Sequence, residues 1–185
     1  MIERYGKSSG PVYDDCLCKP GDVSSINQTL PSYCYSPSGT DCDWYRNCLE
    51  KRHPCDGTEA SYAIKYAKKF CDLYTENYNK FSSIGKNWVD QVRMCLQVQL
   101  VPSLRPGKQQ TCESIKELAF RSHVPCYVKP SESKTLSFCN IPTKDQLKVF
   151  WTIKGAFVDE PVASMKGLFE TLETCTINYI QRKLS

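Results

Sequence analysis

Cysteine content constrains this chain more than any other feature of its sequence. Twelve cysteines occur among 185 residues, and all but Cys16 and Cys18 are widely spaced. Cys16 and Cys18 alone stand close enough to begin a zinc knuckle, and two histidines supply few other zinc ligands. An even number of scattered cysteines is typical of disulfide bonding, which persists in oxidising compartments. We therefore expect a secreted, extracellular protein.

The composition predicts a folded domain in which disulfides reinforce a hydrophobic core. Hydrophobic residues make up 41% of the chain and aromatic residues 11%. A chain of this size normally buries about 70% of its unfolded surface. The net charge of +4 is spread along the chain without a dense basic run, and no stretch has the ~20 apolar residues of a membrane span. We expect neither a nucleic-acid partner nor a transmembrane segment.

Residues 1–40 are expected to form an irregular N-terminal arm. The stretch is rich in Gly, Pro, Ser and Asp and shows no sustained period. We expect Cys16, Cys18 and Cys34 to pin it. Asn27 opens the sequon NQT, which fits a secreted glycoprotein. The opening residues MIERYGKSSG lack the apolar stretch of a signal peptide, so we expect a secretion signal to have been removed.

The remainder of the chain, residues 41–185, shows helical periodicity. Apolar residues recur there at three- and four-residue steps, as on one face of an α-helix. In the segment near residue 150, this stripe consists of Leu147, Phe150, Trp151 and Ile153. Capping and proline signals place helix starts at Asp41, Thr58, Ser82 or Ser83, Thr111, Pro142 and about Glu160. We predict an all-α, disulfide-stapled helical domain behind an irregular arm.

Several short segments and their spacing resemble a known family of secreted proteins. The segments are Cys42-(x)5-Cys48-Leu49-Glu50, Lys69-Phe70-Cys71, Gly85-Lys86-Asn87-Trp88-Val89 and Arg93-Met94-Cys95. Together with the order and spacing of the cysteines from Cys34 to Cys175, they resemble the stanniocalcins, which are secreted, disulfide-bonded glycoprotein hormones. The gaps from Cys55 to Cys71 and from Cys126 to Cys139 are longer than in that family.

The resemblance implies a disulfide framework and a kind of function. The implied pairs are Cys34–Cys48, Cys42–Cys71, Cys55–Cys112, Cys95–Cys126 and Cys139–Cys175. Cys16 and Cys18 have no counterpart, and either a mutual bond or pairing with another molecule stays open. No cysteine follows Cys175 to link a covalent dimer, which leaves a non-covalent homodimer. The implied roles are calcium and phosphate regulation and inhibition of pappalysin-type metalloproteases, with a receptor or protease as the extracellular protein partner.

Candidate catalytic residues are scarce. His53 lies in a charged run before Pro54, and His123 follows Ser122, a neighbour that faces another direction on a helix. We interpret both histidines as helix-end residues. Glu50 is the one acid that suits a lysozyme-like carboxylate pair, with its partner left open among Asp41, Asp43, Asp56 and Glu59. The complete acidic loop of a calcium site is absent. We therefore predict no catalytic residue, no metal site and no cofactor.

Aromatic residues supply the candidate binding surface. Trp44, Tyr45, Tyr62 and Tyr66 are of the types that interfaces favour, because they bury much area at low entropic cost. The alternative is that they fill the groove between helices. The neighbouring lysines suit an acidic glycan or protein, or simply keep a helix soluble: Lys65, Lys68, Lys69 and Lys80.

The favoured function is non-enzymatic. We expect a secreted signalling or binding protein that presents a rigid helical surface to a protein partner. Two alternatives stay open. One is a venom or defence protein that acts on membranes or channels, and the other is a secreted hydrolase that uses Glu50.

The implied framework predicts the outcome of a disulfide map. Proteolysis without reduction, followed by mass spectrometry, should yield linked peptides containing Cys42–Cys71, Cys55–Cys112 and Cys95–Cys126. The same map shows whether Cys16 and Cys18 join each other or a second chain. Recovery of a different connectivity would make the match in cysteine spacing a coincidence.

Overall fold

The all-α prediction is confirmed by the computed structural model, which describes residues 29–105, 110–132, 135–154 and 161–184. No strand occurs within these ranges. A short 3-10 helix, Ser32–Tyr35, comes first, and two π-helices follow, Tyr45–Glu50 and Ala63–Lys68. The α-helices that follow are α1 (Lys69–Asn77), α2 (Ser83–Leu100), α3 (Cys112–Val128), α4 (Thr143–Ile153) and α5 (Pro161–Leu184). Among the described residues, no helix combines the length and the hydrophobicity needed to cross a membrane.

The predicted helix starts are correct where a side chain caps the backbone. The side chain of Ser82 accepts a hydrogen bond from Gly85 N at the start of α2, and Thr111 accepts one from Ser114 N at the start of α3. Thr58 does not cap a helix, because residues 58–61 form a turn and irregular backbone; its hydroxyl donates to the carbonyl of Cys55 at 2.7 Å. The second π-helix begins only at residue 63 and continues directly into α1.

Residues 30–40, which the sequence assigns to the arm, pack against the helical body. Leu30 and Cys34 are buried. Gly39 N donates to the side chain of Gln97 in α2 at 3.1 Å, and that side chain donates in turn to the carbonyl of Asp41 at 2.9 Å. The segment contains the 3-10 helix Ser32–Tyr35, and Leu30 and Cys34 belong to the hydrophobic core. Cys16, Cys18 and Asn27 lie outside the described residues.

Buried side chains form two hydrophobic cores. The first surrounds the two π-helices and includes Trp44, Tyr45, Leu49 and Leu100. The second lies between α1, α2 and α4. Its buried members are Tyr74, Phe81, Trp88, Val89, Val92, Leu136, Phe138, Ile141 and Val149. Helix α3 packs against both α2 and α5.

Five disulfides join these elements. They are Cys34–Cys48, Cys42–Cys71, Cys55–Cys112, Cys95–Cys126 and Cys139–Cys175. These are the same five pairs that the resemblance implies. Each bond is typically worth about 2–4 kcal/mol of folding free energy, largely because it restricts the unfolded chain. Every α-helix except α4 carries at least one of the bonded cysteines.

A buried carboxylate anchors α4, the helix without a disulfide, to the start of α2. The side chain of Asp145 is 1% exposed. It accepts hydrogen bonds from the backbone N–H of Ser82 (3.2 Å), from the Ser82 hydroxyl and from Lys148 Nζ (3.0 Å). Burial alone would raise the pKa of Asp145, but the bonds from Ser82 and Lys148 outweigh it and lower the pKa. Gly85 leaves room for the carboxylate, since a Cβ there would stand 2.5 Å from Asp145 Oδ2.

Replacing this glycine tests the anchor. Gly85→Ala should lower the free energy of unfolding by about 2 kcal/mol. The new methyl group displaces the Asp145 carboxylate from its hydrogen bonds to Ser82, the capping residue of α2, and leaves this buried carboxylate poorly bonded. Urea unfolding monitored by circular dichroism measures the change. Gly167→Ala in α5 is the matched control: no atom lies within 4 Å of its added Cβ, so we expect unchanged or slightly higher stability. Equal effects of the two substitutions would contradict the anchor.

Candidate functional site

Most of the predicted surface aromatics are buried. Trp44, Tyr45 and Tyr62 are 1%, 3% and 3% exposed, so the prediction that they form a contact surface is wrong. Trp44 explains why: its indole N–H donates to the carbonyl of Cys34 at 3.0 Å, inside the first core. Tyr66 alone of the four is partly exposed. The alternative interpretation, in which these rings fill the space between helices, describes the other three.

A cluster of aromatic rings surrounds His123 in α3. Its imidazole stacks on Tyr66 (ring centroids 5.7 Å apart) and on Tyr127 (6.0 Å), and it meets Phe120 edge to face at 5.2 Å. The Tyr62 hydroxyl and His123 Nε2 lie 3.1 Å apart, within hydrogen-bonding distance. Stacked tyrosine rings and the Tyr62 hydroxyl therefore hold the imidazole of His123 in place. The imidazole does not lie at the last carbonyls of the helix, where the sequence had predicted it.

Burial shifts the ionisation of this cluster toward its neutral forms. It lowers the pKa of His123 from 6.5 to about 4 and raises the pKa of Tyr62 well above its usual value. The cavity among these rings has a volume of about 30 Å³, the space of a single water-sized molecule. Small-molecule sites are typically about 300–1,000 Å³. The cluster is therefore a structural centre and has no room for a substrate.

The other polar residues proposed for catalysis have structural partners. His53 Nε2 lies 2.7 Å from the carbonyl of Ser103, and the Ser122 hydroxyl donates to the carbonyl of Ala119 at 2.7 Å. Ser122 therefore does not engage His123, in agreement with their adjacent helix positions.

The structure gives Glu50 and its proposed partners local bonding roles. Glu50 Oε1 accepts a hydrogen bond from the backbone N–H of Asp56 at 2.7 Å and so holds the loop before the second π-helix. Asp56 accepts from the Ser61 hydroxyl at 3.2 Å, and Asp43 pairs with Lys68 at 3.0 Å. Within the described ranges, no group of three or more His, Cys, Asp or Glu side chains could hold a metal ion.

The outward face of α4 carries large apolar side chains. Leu147, Phe150 and Trp151 are 56%, 43% and 62% exposed. These residues belong to the apolar stripe that was predicted to face the core. The residues of α4 that are buried are instead Asp145, Val149 and Thr152. Two of these inward residues are polar, and both are hydrogen-bonded. Asp145 accepts from Ser82 at the start of α2, and the Thr152 hydroxyl donates to the carbonyl of Lys148. No feature of α4 by itself shows which of its two faces is inward.

The charged groups on this outward face are basic. Lys154 Nζ lies 4.4 Å from the centre of the Trp151 ring, a cation–π contact. Lys144 is exposed, and Lys148 is partly exposed beside the buried Asp145. The face therefore combines an exposed tryptophan with positive charge. A second row of exposed apolar residues lies on α5: Phe169, Leu172, Ile177 and Ile180.

Comparison of the chain with protein-family models, with curated protein sequences and with solved structures found no match. Two surfaces of this protein have exposed side chains suited to contact a ligand: the outward face of α4 and a lysine-lined groove between the second π-helix and α3.

The His123 cluster predicts a pH dependence of stability. The neutral imidazole is favoured in the folded state, so the unfolded state binds more protons between pH 6.5 and pH 4, and the free energy of unfolding falls as the pH decreases through that window. We expect this residue to contribute a loss of about 1–2 kcal/mol, less than the full shift gives, because part of the ring stays exposed. Urea unfolding at several pH values measures it.

Two variants isolate the contribution of this imidazole. His123→Phe keeps an aromatic ring but cannot be protonated, so its stability should depend less on pH than that of the original protein. His53→Gln, at the other histidine, should retain the full dependence. Parallel stability curves for the original protein and His123→Phe would show that His123 does not titrate as described.

Proposed function

We propose that this is a secreted, stanniocalcin-like signalling or binding protein without enzymatic activity, which presents a rigid helical surface to an extracellular protein partner. The observation that carries the proposal is the outward face of α4, where Leu147, Phe150 and Trp151 are exposed together. Large exposed apolar groups on a folded surface mark interaction sites. Tryptophan is among the residues most enriched where interfaces derive their binding energy.

The attachment of α4 favours tight recognition. Asp145 fixes the helix to Ser82 and Gly85 at the start of α2, and Val149 is buried in the second core. The outward side chains therefore stand on a backbone that is already ordered before binding. Pre-ordered surfaces lose less conformational entropy on association, so more of the contact energy appears as affinity.

The charges on α4 indicate the chemistry of the partner. The charged residues of this helix that keep exposed surface are Lys144 and Lys148, Lys154 follows at its C-cap, and the acidic residue Asp145 is buried. A partner surface that accepts Trp151 in an apolar pocket and surrounds it with carboxylates matches this pattern. We infer that the partner is an extracellular protein with an acidic rim around an apolar depression.

The cysteine framework supports the family part of the proposal. The disulfides pair the same cysteines that the resemblance to stanniocalcins implies. Disulfides of this number fit an oxidising, extracellular location. A role in calcium and phosphate regulation, or in inhibition of a secreted metalloprotease, follows from that resemblance alone and is proposed on that basis.

The same face of α4 also suits a membrane surface, which is the second candidate. A helix face with tryptophan, phenylalanine, leucine and flanking lysines can lie in the interface of an anionic bilayer. The two candidates differ in what they bind. Vesicles with about 30% phosphatidylserine, roughly the anionic content of a cytoplasmic leaflet, test for a membrane role. Extracellular protein domains test for a protein partner.

Substitution of the exposed tryptophan tests the proposed surface. Screening of the biotinylated protein against a displayed library of extracellular domains should enrich binders with acidic surfaces. Trp151→Glu should weaken their binding at least about 30-fold, since a central interface tryptophan is typically worth 2 kcal/mol or more. Ile84→Glu is the matched control, because Ile84 is 55% exposed on α2 and should tolerate the same change in charge.

Further outcomes separate the alternatives. Binding that is lost equally in Trp151→Glu and Ile84→Glu would argue against a specific role for α4. A blue shift of tryptophan fluorescence on anionic vesicles, together with no domain binder, would favour the membrane candidate. Activity on a panel of glycan and ester substrates that disappears in Glu50→Gln would contradict the non-enzymatic proposal, since that substitution should leave partner binding intact.

A further inference from the structure

A groove between the second π-helix and α3 combines three lysines with an aromatic floor. Lys65 and Lys69 come from the π-helical side, and Lys116 comes from α3. Tyr66 and Phe120 form the floor. The groove has a volume of about 430 Å³, within the range of small-molecule sites and far larger than the cavity around His123.

Tertiary structure selects these three lysines from a larger set. Lys68, which the sequence grouped with Lys65 and Lys69, turns away to pair with Asp43 and Asp72, both at 3.0 Å. Lys80 donates to the side chain of Asn77 at 2.7 Å. Lys116 is 47 residues beyond Lys69 in the sequence (116 − 69) and joins the groove because α3 packs beside the π-helix.

Backbone carbonyls orient two of the ammonium groups at the edge of the groove. Lys65 Nζ donates to the carbonyl of Thr58 at 3.0 Å, and Lys116 Nζ donates to the carbonyl of Glu59 at 3.4 Å. Glu59 also lines the groove, so three lysines and one acidic residue are among its lining residues.

The aromatic floor is rigid. The rings of Tyr66 and Phe120 meet edge to face with centroids 4.8 Å apart, and Tyr66 stacks on Tyr62 at 5.6 Å and on His123 at 5.7 Å. Tyr66 and Phe120 both keep part of their surface exposed to the groove. The His123 cluster therefore supports two rings whose exposed parts a flat apolar face of a ligand can cover.

We propose that this groove binds an anionic saccharide, a sulfated or uronate-bearing glycan. The C–H face of a sugar ring packs against Tyr66 and Phe120, as apolar surface packs on aromatic rings elsewhere. Sulfate or carboxylate groups of the glycan accept charge-assisted hydrogen bonds from Lys65, Lys69 and Lys116. Glu59 accepts a hydrogen bond from a sugar hydroxyl. The site is separate from the outward face of α4 and does not depend on a protein partner.

Calorimetry with a heparin-derived hexasaccharide tests the site at near-physiological salt. The triple variant Lys65→Gln, Lys69→Gln, Lys116→Gln should bind at least about 100-fold more weakly, because each lost charge-assisted bond commonly costs a factor of about ten. Tyr66→Leu, which removes part of the aromatic floor while keeping all three charges, should weaken binding by about tenfold.

A matched triple variant distinguishes the groove from general charge attraction. Lys51→Gln, Lys80→Gln, Lys129→Gln removes the same charge from exposed positions elsewhere and should bind the hexasaccharide almost as tightly as the original protein. Equal loss in both triple variants would overturn the proposal. So would equal binding of neutral maltohexaose, or of poly-glutamate, since the first has sugar rings without anionic groups and the second has carboxylates without sugar rings. Circular dichroism of every variant verifies folding.

Discussion

The position of α3 is the constraint on which the rest of the structure depends. Its first residue, Cys112, is bonded to Cys55 in the loop before the second π-helix, and Cys126 near its end is bonded to Cys95 in α2. The helix is thus tied at both ends to different parts of the body. Because Phe120 and His123 lie between these two bonds, the cluster and the groove are held between covalent anchors.

The second π-helix explains how a column of aromatic rings stays on the buried side of its helix. Tyr62, Tyr66, Phe70, Tyr74 and Tyr78 recur every fourth residue. On a straight α-helix each four-residue step turns the side chain about 40° further round the axis, so such a column would wind away from its partner. The wider turn at Ala63–Lys68, with its i→i+5 bonding, turns the column back. All five rings are at least partly buried.

The parts of the fold that could be predicted depend on local chemistry. Ser82 and Thr111 were correctly identified as helix caps, since a cap involves residues only three apart. The predicted helix start at Thr58 was wrong, because residues 58–61 form a turn and irregular backbone in which the Thr58 hydroxyl donates to the carbonyl of Cys55. The inward face of α4 was also predicted wrongly. Its burial follows from Asp145, whose partner Ser82 is 63 residues away, and no periodicity within α4 encodes that contact.

By itself, the sequence determined the all-α class, the reinforcement by disulfides and the capped helix starts, since composition and short-range capping decide these features. Tertiary structure decided which aromatics are covered, which face of α4 meets solvent and which lysines share a groove. Lys116 and Tyr66 illustrate the reason. They approach one another only because two disulfides fix α3 beside the π-helix, and the distance between residues far apart in the chain is set by packing rather than by pattern.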